Sequence, residues 1–422
     1  MGSYVAPIIG EHDFRDEVAR FLETQATRRS AATTFVWGEG SDEVAVFEEM
    51  DPELERDEFA RAREWRAARY DAGLGWISGP EAHGGRGLPR SYERIYSSAE
   101  AAYRVPNMGF FTISLGMVAP TILAHGSDAA KDAYLAPLHR GDLLGCQLFS
   151  EPGAGSDLAA VGARAERDGD EWVITGQKVW TSFAHLADLG EIICRTDPDA
   201  PKHQVLTAFI VDMRAPGVDV RPLRQMTGGT SFNEVFFDEV RVRDDHRLGD
   251  VDAGWGVALT TLMNERAAIG GGAGGSGQGL FSPERVRAML EQFGALDDPV
   301  IRDRYAQLHA SFTVAKWNSK RALDKIAAGQ LPGPEMSTAK LALTDNMRAF
   351  AELVASVLGP RLVADSGAWG TYAFANFVLG VPGMRVAGGT DEVMRNIVAE
   401  RVLGLPKDPA LEAKTPFKDL PR

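Results

Sequence analysis

The stretch that decides the fold is Leu148-Phe149-Ser150-Glu151-Pro152-Gly153-Ala154-Gly155-Ser156-Asp157. A strand-like apolar run, residues 143–149, ends here in a turn rich in hydroxyl, carboxylate and glycine. Gly153 and Gly155 lack a Cβ atom, which permits a close ligand and a positive φ. Ser150 and Ser156 add hydroxyls that donate or accept hydrogen bonds. The turn suits a flat, phosphate-bearing cofactor, although an ordinary loop between strands has the same composition.

A second stretch follows about two dozen residues later, Trp172-Val173-Ile174-Thr175-Gly176-Gln177-Lys178-Val179-Trp180-Thr181-Ser182. Its two β-rich arms predict a hairpin joined through Thr175-Gly176. Trp180, followed by two hydroxyl residues, supplies an aromatic wall beside hydrogen-bond donors.

These two stretches resemble the flavin-binding sheet domain of the acyl-CoA dehydrogenases. A third stretch, Gly388-Gly389-Thr390-Asp391-Glu392-Val393-Met394-Arg395-Asn396, is similar to the closing motif of the same family. The likeness extends over nearly the whole chain.

The composition excludes several other classes of protein. The length of 422 residues favours two or three domains. The content of 44% hydrophobic and 25% charged residues is typical of a globular enzyme. Its net charge of −14 argues against nucleic acid and anionic membranes as partners. The two cysteines, Cys146 and Cys194, lie in apolar runs and are expected to be buried thiols. No N-terminal signal or membrane-inserting segment is expected, which predicts a cytoplasmic protein.

The periodicity of apolar residues changes twice along the chain. It is helical to about residue 145, strand-like from about 143 to 248, and helical again from 254 to 405. The fold class is therefore α+β, with an N-terminal helical domain (1–145), a middle antiparallel β-barrel or sandwich (146–250) and a C-terminal helical bundle (251–422). Within the first domain, a helix is predicted over Ser91–Tyr103. Met108–His125 is predicted to be a buried helix, too short and too interrupted to span a membrane.

The resemblance implies α,β-dehydrogenation of an acyl-CoA thioester to the trans-2-enoyl-CoA. A base takes the α-proton, FAD takes the β-hydride at N5, and hydrogen-bond donors stabilise the thioester oxygen. Many members carry the base at the position that is Gly388 here, and glycine cannot act as a base. Another branch of the family carries it in a Glu-Arg pair on the first long C-terminal helix, which matches Glu265-Arg266. Glu265 is therefore the candidate base, in an apolar setting that would raise its pKa. The alternative is an exposed ion pair on a solvated helix face.

The resemblance also implies the remaining site residues. The backbone N–H of Gly388 would serve the oxyanion site. FAD would contact Gln147, Phe149, Ser150, Gly155, Ser156, Trp180, Thr181, Ser182, Thr390 and Glu392. The substrate would contact Ser156, Phe110, Phe111, Thr112, Met263, Arg266 and Gly389. Thr390 is in addition a plausible helix N-cap, which holds for a plain helix start as well.

The sequence departs from the family at a position that contributes to subunit assembly in many members. Many members reach a neighbouring subunit's flavin with an Arg at the position that is Leu290 here; Arg287 lies one turn earlier. A homo- or hetero-oligomer, a dimer or a tetramer, is expected, with an electron-transfer flavoprotein as electron acceptor. Two alternatives stay open: a partner-dependent or non-catalytic subunit of a heteromer, and an oxygen-using flavin oxidase or monooxygenase on the same fold.

Two other features of the sequence do not predict a site. The eight histidines show no metal-ligand spacing, so no metal is expected. The Gly-rich segment 270–279 lacks the Gly-Lys-Ser/Thr ending of a phosphate loop.

Overall fold

A computed structural model describes residues 9–29, 35–47, 49–270, 283–327, 333–407, 409 and 414–420, with the side chains of 266–270, 283–284, 322–323 and 326–327 not included. The Gly-rich segment 271–279 lies outside these ranges. In the described part, helices at both ends of the chain enclose a central sheet.

The N-terminal third is mainly helical. Its helices are α1 (Glu11–Gln25), α2 (Pro52–Asp71), α3 (Arg90–Glu100), α4 (Ala119–His125) and α5 (Asp128–Arg140), with a small ribbon of β1 (Thr27–Arg28) and β2 (Tyr103–Arg104). The starts of two helices follow from their caps. The Asp51 side chain accepts a hydrogen bond from the Glu53 N–H before α2, and the Ser127 hydroxyl accepts one from the Ala130 N–H before α5.

Two predictions for this region need correction. The helix predicted over Ser91–Tyr103 begins at Arg90 and ends at Glu100. The segment Met108–His125 is not one regular helix: it divides into a 3₁₀ turn (Met108–Phe111), a π-turn (Ser114–Val118) and α4. By length and composition alone it is apolar enough to cross a membrane, and 44% of it is buried inside the protein.

The middle region is an eight-stranded sheet in the order β10-β7-β6-β4-β5-β9-β8, with β3 beside β6. Most pairings are antiparallel, but β3 and β4 each run parallel to β6. The strands are β3 (Gly145–Leu148), β4 (Arg164–Asp168), β5 (Glu171–Ser182), β6 (Leu189–Arg195), β7 (Leu206–Asp212), β8 (Val218–Leu223), β9 (Phe232–Arg243) and β10 (Arg247–Leu248).

The predicted hairpin through Thr175-Gly176 is wrong. Residues Glu171–Ser182 form one continuous strand, β5, which pairs with β9 along its length. The pairing register shifts between Ile174 and Gly176, so the glycine marks an irregularity within the strand rather than a turn. A Cβ at Gly176 would lie 2.5 Å from the Cβ of Ala163, and only glycine allows this close approach.

The C-terminal third is again helical. The helices among its described residues are α6 (Gly254–Gly270), α7 (Pro283–Gln292), α8 (Pro299–Ala327), α9 (Ser337–Leu358), α10 (Phe374–Val386) and α11 (Asp391–Ile397). One hydrophobic cluster joins the three regions, and in it α4, α5 and α6 pack against the sheet. Its buried members include Val118, Leu135, Phe149, Leu206 and Val257. Both cysteines are buried free thiols, as predicted.

Candidate active site

The turn after β3 is closed by its own backbone. Glu151 and Ala154 exchange two hydrogen bonds, with N···O distances of 2.9 and 3.1 Å. Neither Gly153 nor Gly155 uses the positive φ that glycine permits. A Cβ built on either glycine would meet no atom within 4 Å. The outer side of the turn is therefore open, and a ligand can approach its backbone.

A buried ion pair fixes this turn to β5. Lys178 is completely buried, and its Nζ donates to Oε1 of Glu151 at 2.7 Å and to the Phe149 carbonyl at 3.0 Å. The Glu151 carboxylate also accepts hydrogen bonds from the N–H groups of Gly162 (2.7 Å) and Ala163 (3.0 Å). Because Lys178 and Glu151 each have further hydrogen-bond partners, the pair holds the turn in one position. This ion pair was not predicted from the sequence.

Trp180 lies at a bulge that turns its indole outward. The register of β5 and β9 shifts between Lys178 and Thr181, and Trp180 has a φ of +61°, which is uncommon for a bulky residue. Its side chain is 56% exposed. The ring of Phe232 packs edge-on against it at a centroid distance of 6.0 Å. The aromatic wall predicted from the sequence is therefore present and accessible.

The next residue carries a hydroxyl that the protein does not satisfy. Thr181 is 1% exposed, and its Oγ1 has no hydrogen-bond partner among the described residues. An unmet buried hydroxyl costs about 1–3 kcal/mol, so a ligand that hydrogen-bonds to Thr181 would recover this cost. Of the other predicted cofactor contacts nearby, Phe149 is buried, Gln147, Ser150 and Ser182 are half-buried, and Gly155 and Ser156 are exposed. The orphaned hydroxyl, the open turn and the exposed indole fit a flat, hydrogen-bonding cofactor.

The helix that carries Glu265 packs on the same part of the sheet. Val257 and Ala258 of α6 share a hydrophobic cluster with Phe149. One turn before Glu265, the Thr261 hydroxyl donates to Oε1 of Glu191 at 2.5 Å. Glu265 is half-buried and Met263 is 57% exposed, while the side chain of Arg266 lies outside the described part of the chain.

Glu191 is an acidic group inside the protein. It lies on β6, is fully buried, and its Oε2 has no partner among the described residues. Burial raises the pKa of the Glu191 carboxyl to about 8, although the hydrogen bond from Thr261 opposes this. Glu191 is not among the residues predicted from the sequence, where its only signal is a carboxylate within the apolar strand Leu189–Arg195.

The predicted oxyanion residue lies in a tight turn between α10 and α11. Gly388 and Gly389 have φ values of +66° and +89°, which side chains rarely adopt. Thr390 is the N-cap of α11, where its hydroxyl accepts the Val393 N–H at 3.1 Å, as predicted. Glu392 is exposed. Because α9 contacts both α6 and α11, Glu265 and Gly388 lie on segments that flank a common helix.

Two of the three predicted acyl-chain contacts are core residues. Phe110 and Phe111 are 1% and 2% exposed and pack against Phe59 of α2 at centroid distances of 5.3 and 6.0 Å. Their packing role accounts for their position. Thr112 is half-buried and remains accessible from one side.

The position that carries the cross-subunit Arg in many family members is buried. Leu290 is 0% exposed and lies in the core of the C-terminal bundle. Arg287 is exposed on the same helix and donates to Oε1 of Glu291 at 2.8 Å.

Three family models match the chain in succession. They describe the N-terminal, middle and C-terminal domains of acyl-CoA dehydrogenases, and they match residues 23–142, 146–240 and 252–403. The chain belongs to the acyl-CoA dehydrogenase family. This acyl-CoA dehydrogenase is therefore an FAD-dependent oxidoreductase that dehydrogenates acyl-CoA thioesters, which confirms the fold class, cofactor and reaction expected from the sequence.

Three relatives show how far the similarity extends. Acyl-CoA dehydrogenase IpdE1 of Mycobacterium tuberculosis is 36% identical over 371 residues, which cover 85% of this chain and 91% of that protein. Acyl-CoA dehydrogenase FadE34 of the same organism is 41% identical over 290 residues, 68% of this chain but only 39% of the relative. Among solved structures, the Tcur3481–Tcur3483 steroid ACAD has a TM-score of 0.71 at 25% identity and covers 94% of this chain and 97% of that one.

Proposed function

We propose that Glu265 is the base that removes the α-proton of the acyl-CoA. The observation that carries this proposal has two parts. Gly388 has no side chain that could act as a base. Glu265 is half-buried on α6, the helix that packs against Phe149 at the turn after β3. A carboxylate side chain can accept the α-proton once the substrate lies within hydrogen-bond reach.

The second element of the proposal is the turn at Gly388. Its backbone N–H would donate to the thioester oxygen, on which negative charge develops as the α-proton leaves. A glycine serves this role without loss because the donor belongs to the main chain. Gly389 and the exposed Met263 would lie against the acyl-CoA, together with Arg266, Ser156 and Thr112.

The third element is the cofactor cradle. Bound FAD supplies the acceptor for the β-hydride. Trp180 would cover one face of its ring, and the hydroxyls of Thr181, Ser182 and Ser150 would donate to its polar edge. Gln147, Phe149, Gly155, Ser156, Thr390 and Glu392 would complete the contacts.

For the substrate we propose a bulky, polycyclic acyl group. One of the solved structures with this fold is named a steroid ACAD, and it covers 94% of this chain. A base on α6, the helix of Glu265, is also compatible with branched, long or bulky acyl groups.

For the assembly we propose an oligomer, with an electron-transfer flavoprotein as the electron acceptor and a cytoplasmic location. The name of the solved relative pairs two designations, Tcur3481 and Tcur3483. In many family members an Arg at the position of Leu290 reaches the flavin of a neighbouring subunit. Here the position holds a buried leucine, which favours pairing with an unlike chain. The mass of the isolated protein and its ratio of FAD to chain test this directly.

The experiment that tests the substrate class is an anaerobic titration with a panel of acyl-CoAs, followed by flavin absorbance. The panel contains straight-chain, branched and steroid-derived thioesters. We expect the steroid-derived thioesters to bleach the flavin fastest. Preferential bleaching by short straight chains would contradict the proposed substrate, and rapid oxygen consumption in air would favour the oxidase alternative.

A further inference from the structure

The Gly388-Gly389 turn is flexible by composition, but ionic side chains connect its two ends. The turn connects α10, which ends at Val386, with α11, which begins at Asp391. Two adjacent glycines lose more backbone entropy on ordering than any other pair, so a turn of this kind needs external support to stay in one conformation.

Lys340 of α9 supports the turn from both ends. Its Nζ donates to the carbonyl oxygen of Arg385, three residues before Gly388, at 3.2 Å. The same Nζ donates to Oδ1 of Asp391, three residues after Gly388, at 3.1 Å. The Lys340 and Asp391 side chains are 6% and 1% exposed, so water contributes little to either group.

Asp391 receives two further hydrogen bonds. The Thr344 hydroxyl, also on α9, donates to Oδ1 at 2.8 Å, and Nε of Arg385 donates to Oδ2 at 2.7 Å. Burial alone would raise the Asp391 pKa, but the hydrogen bonds from Arg385, Thr344 and Lys340 outweigh it, and the pKa lies below its ordinary value. The carboxylate is thus charged and fully partnered.

The ion pair of Arg385 with Asp391 also spans the turn directly. Arg385 lies in the last turn of α10 and Asp391 in the first turn of α11, so their 2.7 Å bond closes the loop that contains both glycines. The Arg385 side chain is 40% exposed, so this bond is more screened by solvent than the Lys340 bond.

We propose that Asp391, Lys340 and Arg385 are positioning residues that hold the Gly388 N–H in place for the developing oxyanion. The inference rests on the proposed role of Gly388. The three side chains act through the backbone of the turn and not by contact with substrate or flavin. A displacement of about 1 Å at a catalytic donor is enough to lower a rate by about 10²-fold.

Two single variants separate this role from simple packing. Arg385→Ala removes the bond across the turn and leaves the buried Lys340–Asp391 pair intact. Arg385→Lys can keep an ion pair with Asp391 and is the rescue variant. Arg348→Ala is the matched control, because it breaks a 2.7 Å ion pair with Glu352 on the same helix as Lys340, away from the turn.

The buried pair needs variants of its own, because Asp391→Asn leaves the Lys340 ammonium without a charged partner and can impair folding. The double variant Lys340→Met/Asp391→Asn removes both charges together. Thermal unfolding and FAD content identify the variants that are folded before any rate is compared.

The decisive readouts are the rate of flavin reduction and the exchange of the α-proton with D₂O. The exchange is measured on an accepted acyl-CoA that has no hydrogen on the β-carbon, which isolates proton removal from hydride transfer. We expect Arg385→Ala to lower both rates about 10-fold and the double variant about 10²-fold. The dissociation constant of the acyl-CoA should be unchanged, and Arg385→Lys and Arg348→Ala should match the wild type.

Folded variants that lose stability but keep both rates would overturn the proposal and leave the cluster a packing feature. A parallel measurement on Glu265→Gln distinguishes this failure from failure of the proposed function. If Glu265→Gln exchanges the α-proton like the wild type, the proposed chemistry is wrong. If it does not exchange while the Arg385 and double variants do so at full rate, only the positioning role is wrong.

Discussion

Nζ of Lys178 lies 2.7 Å from Oε1 of Glu151, and this lysine is completely buried within the sheet. The bond joins the strand that presents Trp180 to the turn that begins at Ser150. Two parts of the proposed flavin site, separate in sequence, therefore share one structural support. Because a buried ion pair costs several kcal/mol to break from one side, the support is strong only while both partners are present.

Replacement of this lysine should separate the two parts of the site. We expect Lys178→Met to lower the free energy of unfolding by about 3–5 kcal/mol, because Glu151 keeps its charge but loses its cation. The purified variant should also contain less FAD. Chemical denaturation and the flavin-to-protein absorbance ratio measure the two effects. Lys202→Met, which breaks a more exposed bond to Asp157, is the control and should cost less than about 1 kcal/mol.

The orphaned hydroxyl of Thr181 predicts opposite effects on stability and cofactor binding. In Thr181→Val the unmet hydroxyl is removed, so the FAD-free protein should gain about 1 kcal/mol of stability. FAD should bind about 2–10-fold more weakly, because one hydrogen bond to the cofactor is lost. Thr207→Val is the matched control. Thr207 is also buried, but its hydroxyl is hydrogen-bonded to the Thr196 hydroxyl and accepts a hydrogen bond from the Asp252 N–H, so that variant should lose stability. Unchanged FAD affinity in Thr181→Val would remove Thr181 from the cofactor site.

Glu191 should make the folded protein less stable as the pH rises. Its pKa is raised from 4.5 to about 8 in the folded protein, so the fold favours the protonated form. The stability this provides is complete below pH 4.5 and is lost as the pH rises toward 8, at about 1.4 kcal/mol per pH unit. Glu191→Gln cannot titrate. We therefore expect the wild type to lose stability relative to Glu191→Gln between pH 5 and 8 in chemical denaturation, and parallel profiles would contradict this.

Features that depend on local composition could be predicted from the sequence. The change from helical to strand periodicity near residue 145, the N-cap at Thr390 and the buried cysteines each follow from a few neighbouring residues. The family and its cofactor followed from three short motifs whose residue types are set by close contact with a ligand.

Features that depend on long-range contacts could not be predicted. Thr175-Gly176 has the composition of a turn, but the long partner β9 keeps both arms of β5 in one strand. Trp180 reaches the surface only because a bulge forms against that same partner. The Lys178–Glu151 pair joins residues 27 positions apart. The Lys340–Asp391 pair joins residues 51 positions apart, and no local periodicity identifies such partners.

The measurement that tests the central claim most directly is the anaerobic reduction of the bound flavin by a substrate acyl-CoA in Glu265→Gln. The variant keeps the size and hydrogen-bonding capacity of the side chain, and Glu352→Gln on the exposed face of α9 serves as the control. We predict normal FAD content, unchanged acyl-CoA binding and a rate of flavin reduction lowered by about 10²–10⁴-fold, as expected for loss of a general base. Flavin reduction at the wild-type rate in Glu265→Gln would contradict the assignment of Glu265 as the base.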